Sequence, residues 1–212
     1  MKLTYLGHAC FKIESGDYSI IIDPYAPGSV PGYASLDEQA NLVLCTHEHG
    51  DHNSRSSVTL KPETSTPFEI TQIPSWHDDQ QGALRGPNTI YILRAENLTV
   101  IHLGDLGCRP DAKTLSHLAH ADVLLIPVGG HYTIDAATAS SLTDLLNPKV
   151  VIPMHYRGPG FGYDVIAPVS EFLSLRGSVH RSEECSIQLP RSDIPEQTST
   201  QVLVLKSKYR MG

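Results

Sequence analysis

The stretch Cys45-Thr46-His47-Glu48-His49-Gly50-Asp51-His52 constrains this chain more than any other, because it places three imidazoles and two carboxylates within six residues. It directly follows the apolar run Leu42-Val43-Leu44, which is typical of a buried strand. Alternate residues of an extended chain point to the same side, so His47, His49 and Asp51 can converge while His52 faces a second centre. Such packing of titratable groups is unfavourable without a partner, and nitrogen and oxygen donors suit zinc, manganese or iron. We therefore predict a metal site where this strand leaves its sheet, rather than a polar loop with chance histidines.

Further donors lie at the ends of three other predicted strands, namely His77, Asp105 and His155. Loops at one edge of a sheet converge in space, so these side chains are expected to join the first cluster. The total is then five imidazoles and two carboxylates, whereas one tetrahedral zinc takes about four ligands. The surplus predicts two metal ions, which in such sites lie ~3.5–4 Å apart. The alternatives are that His77 lies in a surface loop, that Asp105 forms a turn and that His155 caps a strand end. His102 is expected to be buried and hydrogen-bonded rather than a ligand.

The order of predicted elements indicates an α/β protein. Short runs of branched and aromatic residues predict strands in the first half of the chain, at residues 3–6, 10–14, 19–22, 42–45, 68–73, 90–93 and 99–102. A helical turn is predicted at 36–39, and Ser54 is predicted to cap a short helix that ends near Leu60. The second half alternates helices, at 111–118, 135–146 and 165–176, with strands, at 123–128, 150–154, 179–181 and 187–189; an edge strand is predicted at 201–205. This pattern predicts a four-layer αββα sandwich in one domain over 1–212, with a mobile polar segment at 190–200.

The bulk properties restrict partners and location. With a formal net charge of −7, tight nucleic-acid binding through a broad basic surface is disfavoured. No run of ~18 apolar residues is present, so a membrane span is not expected, and a cytoplasmic location is the default. None of the four cysteines forms a CxxC pair, which disfavours a zinc ribbon or a redox motif. The polar tail after residue 190 is a candidate contact with a second copy, so a homo-oligomer is an open prediction.

The motif Thr46–His52 matches the HxHxDH signature and resembles the metallo-β-lactamase fold superfamily, and the later His77, Asp105 and His155 follow in the order of that family. The segments Tyr5–Phe11, Ile21–Pro24, Ile101–Gly107, Pro127–Tyr132 and Pro153–Tyr156 are similar to its branch of metal-dependent hydrolases around L-ascorbate-6-phosphate lactonase. The resemblance implies that His47, His49 and His77 hold one ion. It further implies that Asp51, His52 and His155 hold the second ion, and that Asp105 bridges the two.

Two divalent ions, with zinc favoured and manganese or iron as alternatives, lower the pKa of a water between them and stabilise a developing oxyanion. Asp51 is predicted to orient the nucleophile or accept its proton, with Asp105 between the ions and His8 as a substrate contact or proton donor. Predicted substrate contacts are His131, Tyr132 and Arg85, where a guanidinium can bind an anion; a solvated loop arginine is the alternative. For Asp23 and for Tyr156, a role in the site and a purely structural role are equally compatible with the sequence.

The sequence thus predicts a dinuclear metal-dependent hydrolase of a small ester, lactone or phosphodiester. A binding or sensor module that uses the same fold without hydrolysis is the first alternative. An RNA-processing nuclease is the second, and the net charge disfavours it.

Overall fold

The structure is a computed structural model that describes residues 1–189 and 200–211. In chain order the strands are β1 (Lys2–Gly7), β2 (Cys10–Ser15), β3 (Tyr18–Ile22), β4 (Glu38–Ala40), β5 (Leu42–Leu44), β6 (Val58–Leu60), β7 (Glu69–Trp76), β8 (Pro87–Ala95), β9 (Leu98–His102), β10 (Val123–Pro127), β11 (Val150–Met154), β12 (Val179–Arg181), β13 (Ser186–Gln188) and β14 (Gln201–Val204). The helices are α1 (Ala112–Leu118), α2 (Ala136–Leu146) and α3 (Val169–Ser174). None of the described helices is long and apolar enough to cross a membrane.

Two larger sheets form the centre of the molecule. One has the strand order β13-β1-β2-β3-β5, and the other has the order β12-β14-β11-β10-β9-β8-β7. The first sheet opens with the predicted antiparallel meander β1-β2-β3. The second joins the antiparallel strands β7, β8 and β9 to the parallel strands β10, β11, β12 and β14. Residues Glu96 and Asn97 have positive φ angles of 53° and 58°, as a two-residue type I′ turn requires, and they join β8 to β9.

The apolar core is divided by the alternation of side chains along each strand. Leu3, Phe11, Leu125 and Ile152 belong to one cluster between the two sheets. The opposite faces of β10 and β11 form a second cluster with the helices, which contribute side chains such as Leu142. The predicted α/β sandwich is therefore confirmed.

In the described part of the chain, a loop and a small sheet pack on the outer face of the first sheet. Leu6 and Ile21 pack there with Tyr25 and Tyr33 of a loop and with Val58 of the two-stranded sheet β4-β6. This loop and the small sheet form the fourth layer of the sandwich at that position.

Four local predictions differ from the structure. The predicted helical turn at 36–39 is wrong: strand β4 forms there, pairs with β6 and buries Glu38, which Lys12 contacts at 2.8 Å. The predicted helix from Ser54 to Leu60 is reduced to a 3₁₀ turn, Arg55–Ser57, followed by β6, and the Ser54 side chain provides no cap.

The third predicted helix begins later than expected, at Val169, because Pro168 is its N-cap. Strand β14 is not an edge strand, since it lies between β12 and β11. The predicted mobile segment lies, apart from Thr200, outside the described residues.

Candidate metal centre

The predicted donor residues follow strands that end at one edge of the two sheets. Strand β5 pairs in parallel with β3, and β9, β10 and β11 pair in parallel with one another, so their carboxyl ends lie together. The segment 46–52 leaves β5, His77 leaves β7, Asp105 follows β9, and His155 follows β11. The structure therefore brings together side chains that are as far apart in sequence as His47 and His155.

Asp105 lies at the centre of this edge and is buried. Its Oδ2 atom is 3.1 Å from His155 Nε2, 3.3 Å from His52 Nε2, 3.4 Å from His77 Nε2 and 4.0 Å from His47 Nε2. One carboxylate oxygen thus faces imidazoles from both predicted ligand sets. This is the position that a bridging carboxylate requires.

The other donors form two groups beside Asp105. In the first group, which consists of His47, His49 and His77, one donor atom of each residue lies within 4.8 Å of the others. His47 and His77 are buried, whereas His49 is exposed at the mouth of the site.

The second group meets the same 4.8 Å limit and contains Asp51, His52, His155 and also His8. His8 Nε2 lies 3.3 Å from Asp51 Oδ2, in the turn between β1 and β2. The structure thus places His8 beside the predicted ligands of the second ion.

The unpaired atoms at this edge fit divalent cations. His47 Nε2, His52 Nε2, His155 Nε2 and Asp105 Oδ1 are buried without a hydrogen-bond partner. A buried polar atom without a partner costs about 1–3 kcal/mol, and four of them around one carboxylate need a common explanation. Coordination by a cation satisfies all four, so the residues present fit the metals that the sequence predicts.

Hydrogen bonds on the far side of the rings leave the Nε2 lone pairs directed to the centre. His77 Nδ1 donates to the Tyr132 carbonyl at 3.1 Å, and His52 Nδ1 donates to Asp23 Oδ2 at 2.8 Å. The Thr46 hydroxyl donates to Asp23 at 2.7 Å, so His47 Nδ1 must donate to the same hydroxyl oxygen, 3.0 Å away. His47 and His77 are therefore the tautomers that bind a metal through Nε2, and His52 would become so when a cation displaces the proton that Asp105 and Asp23 stabilise.

The electrostatics of the site reflect two buried carboxylates among imidazoles. Burial alone would raise the pKa of Asp105, but the charges of His155 and His52 outweigh it and hold this pKa well below its usual range. Burial would lower the pKa of His52, but Asp105 and Asp23 outweigh it and raise this pKa well above its usual range. Burial lowers the pKa of His47 to about 3, which keeps the ring in the neutral form that binds metals.

Residues 2–155 of the chain match the family model of the beta-lactamase superfamily domain. The chain belongs to the metallo-β-lactamase superfamily.

Relatives within this superfamily carry the name UPF0173 metal-dependent hydrolase. The protein of Methanopyrus kandleri is 31% identical to this chain, over 74% of the chain and 84% of its own length. The protein of Methanoregula boonei is 34% identical, over 89% of the chain and 94% of its own length. A solved structure from Thermotoga maritima, classed as a Zn-dependent hydrolase of the superfamily, has a TM-score of 0.74 at 29% identity and covers 97% of this chain and 99% of its own.

A cavity of about 280 Å³ opens beside the donor residues of this chain. Its walls are His49, Asp51, His77, Arg85, Asp105, Tyr132, His155 and Tyr163. Two of the predicted substrate contacts, Arg85 and Tyr132, thus line it. The third, His131, is exposed and lines a separate cavity of about 680 Å³.

Two residues at the site have contacts that the sequence did not decide. Asp23 is buried and holds both His52 and the backbone N–H of Thr46. Tyr163 has its hydroxyl 3.3 Å from Asp51 Oδ2, and no motif pointed to it. It follows a glycine-rich turn of irregular structure, so an aromatic residue eight positions after His155 was the only available signal.

Two other residues have structural positions. His102 is buried, with Nε2 bonded to the Ala9 carbonyl and Nδ1 accepting from Gly104 N–H, as expected for a residue that is not a ligand. Tyr156 packs in the core beside Phe161.

Proposed function

We propose that this chain, a metal-dependent hydrolase of the metallo-β-lactamase superfamily, holds two divalent cations and cleaves a small ester, lactone or phosphodiester. The observation that carries the proposal is the position of Asp105 Oδ2, which faces imidazoles of two donor groups at once. A single tetrahedral ion needs about four ligands and would leave several of these buried atoms unsatisfied.

The assignment of ligands follows the two groups. His47, His49 and His77 would hold one cation, Asp51, His52 and His155 the other, and Asp105 both. Imidazole and carboxylate donors suit zinc and also manganese or iron. When bound, two such cations supply Lewis-acid polarisation and activate water at neutral pH.

The chain's own residues orient the reacting groups. Asp51 is the more exposed of the two carboxylates that line the cavity, where it can orient a nucleophile or take up its proton. His8 Nε2 contacts Asp51 Oδ2 at 3.3 Å, and the Tyr163 hydroxyl lies at the same distance from that oxygen. The two groups would fix the Asp51 carboxylate, which could pass the proton that it takes up from the nucleophile to the leaving group.

The size of the cavity supports a small substrate. Its volume of about 280 Å³ lies just below the range of about 300–1,000 Å³ for small-molecule sites. The net charge of −7 disfavours a large polyanion. Both properties make a nuclease less suitable than a hydrolase of a small ester, lactone or phosphodiester.

The test is turnover by metal-loaded protein of a panel of small esters, lactones and phosphodiesters. The unchanged chain is expected to hydrolyse members of at least one class. The double variant His52→Ala with Asp105→Ala is expected to lose about 100-fold or more in kcat/KM, since it removes a ligand and the shared carboxylate. The matched control is His117→Ala with Asp17→Ala, which makes the same chemical changes at exposed positions.

Full activity of the double variant would contradict the mechanism. A metal-replete chain that is inert over the whole panel but binds a metabolite tightly would instead support the sensor module.

A further inference from the structure

Arg85 is placed at the metal cavity by stacking rather than by an ion pair. It is half-buried, lines the cavity, and has its guanidinium carbon 5.6 Å from the centre of the Tyr132 ring. Tyr132 in turn accepts a hydrogen bond from His77 Nδ1 through its carbonyl oxygen. The Arg85 guanidinium is therefore connected through Tyr132 to His77, a predicted metal ligand. A freely solvated arginine would not have this arrangement.

The loop that carries Arg85 is held by one buried carboxylate. Asp78 accepts hydrogen bonds from the backbone N–H groups of Gln80, Gly82, Leu84 and Arg85, at 2.7 to 3.0 Å. At the end of the loop the Gly86 carbonyl accepts from His77 N–H at 3.1 Å. The backbone at Arg85 is thus fixed relative to His77, so the distance from the guanidinium to the metal centre is set by the fold.

The positive charge of Arg85 has no counter-charge in the part of the chain that the structure describes. Arg55, Arg94 and Arg176 each pair with a carboxylate, namely Glu48, Glu69 and Asp144. Among the described residues Arg85 has no such pair, as is also the case for Arg109, Arg157, Arg181 and Arg210, but of these five only Arg85 lines the metal cavity. Of the residues that line the metal cavity, it is also the one that is cationic at every physiological pH.

Space for a longer substrate continues past Arg85. A second cavity, of about 420 Å³, shares Arg85 and His49 with the first and is also lined by Gln72, Thr89 and Tyr91. A substrate can therefore place one end at the metal centre and extend past the guanidinium.

We propose that the substrate carries, in addition to the bond that is cleaved, a carboxylate or phosphate group that Arg85 binds. This inference rests on the proposed hydrolysis at the metal centre and names its substrate class. The planar guanidinium matches either anion with paired N–H donors. Because Asp78 and Tyr132 fix the arginine relative to His77, binding of the anion also positions the cleavable bond.

The test uses p-nitrophenyl esters of matched length: the hexanoate is neutral at its far end, the mono-adipate carries a carboxylate, and the ω-phosphono analogue carries a phosphonate. The unchanged chain is expected to prefer at least one anionic ester to the hexanoate by about 10- to 100-fold in kcat/KM, as for a charge-assisted hydrogen bond. The two anionic esters distinguish a carboxylate site from a phosphate site. Arg85→Gln is expected to abolish the preference, and Arg85→Lys to keep part of it.

The matched control is Arg94→Gln, at the distal end of the adjacent β7-β8 pair, where the arginine pairs with Glu69. It is expected to leave the preference unchanged. Equal kcat/KM for all three esters, or a preference that survives in Arg85→Gln, would overturn the inference. An equal loss for the neutral and anionic esters in Arg85→Gln would assign the residue a structural role and also overturn it.

Binding measured by calorimetry tests the anion site at Arg85 without substrate turnover. Adipate carries the carboxylate that hydrolysis releases and also the one assigned to Arg85, whereas hexanoate carries only the first. Adipate or the matching ω-phosphono acid is expected to bind the metal-loaded chain about 10-fold or more tightly than hexanoate, and Arg85→Gln to remove the difference. Equal binding of all three acids by the unchanged chain would refute the anion site, while inactivity over the hydrolase panel would refute the proposed function separately.

Discussion

At the scale of single residues, the site depends on carboxylates that serve different tasks. Asp105 faces the Nε2 atoms of several rings, whereas Asp23 lies behind one ring, on His52 Nδ1. Asp23 also accepts from Thr46 at two atoms, so it connects the end of β3 to the start of the metal-binding segment. These contacts support a role in orienting His52 and Thr46, and the Asp23 carboxylate also lies within 4.8 Å of donor atoms of His47 and His52.

We expect Asp23→Asn to weaken binding of the second ion more than binding of the first. The amide keeps the shape but loses one acceptor and the negative charge, so His52 is held less firmly, and such changes reduce metal affinity by about 10- to 100-fold. Competition with a chromophoric chelator measures the affinity of each ion. Asp17→Asn, at an exposed turn, is the control. Unchanged affinity for both ions would show that Asp23 contributes only to the turn.

The convergence of the predicted donor residues could be anticipated from the sequence, whereas the residues around them could not. The donors that follow separate strands were sufficient to place this segment beside Asp105. The predicted alternation is wrong, because residues 46–52 form bends and turns after β5, and Asp51 lies with His52 rather than with His47 and His49. Asp23 gave no such signal, because an aspartate before a proline is equally typical of a turn. Tyr163 reaches Asp51 from an irregular loop whose path depends on tertiary contacts, such as the bond from its hydroxyl to the Ser29 carbonyl.

At the scale of elements, the end of β7 and the loop after β9 are packed backbone to backbone. Gly107 N–H donates to the Trp76 carbonyl at 2.9 Å. A Cβ atom at Gly107 would lie 2.2 Å from Asp78 N and 2.2 Å from the carbonyl carbon of His77. Backbone atoms cannot move aside as a side chain can, so glycine is required for this contact.

We therefore expect Gly107→Ala to reduce the free energy of unfolding by about 1–3 kcal/mol, as for overpacked sites. It should also weaken metal binding, because both His77 and Asp105 lie beside the contact. Urea unfolding of metal-free protein and a metal titration measure the two effects. Gly177→Ala is the control, since no atom lies within 4 Å of the added carbon. A variant with wild-type stability and metal affinity would refute this packing argument.

Elements with strong local patterns could be predicted, and those that depend on distant partners could not. The meander β1-β2-β3 and the helices capped by Asp111 and Asp135 follow from side-chain alternation and capping chemistry. The strand at Glu38 forms only because β6 pairs with it and Lys12 contacts its carboxylate. Local propensity carries no information on either partner.

At the scale of the whole molecule, the two sheets create the site by bringing their strand ends to a common edge. The first sheet supplies His8 and the segment 46–52, and the second supplies His77, Asp105 and His155. Asp105 in the second sheet faces His52 from the first at 3.3 Å. Cation binding at this edge therefore connects the sheets, and it is expected to stabilise the folded chain as mass action requires.

The most direct test of two ions around Asp105 is anomalous diffraction from crystals of the chain loaded with zinc. Two peaks are expected, ~3.5–4 Å apart, one among His47, His49 and His77 and the other among Asp51, His52 and His155. A single peak, in crystals grown with excess zinc, would contradict the dinuclear site.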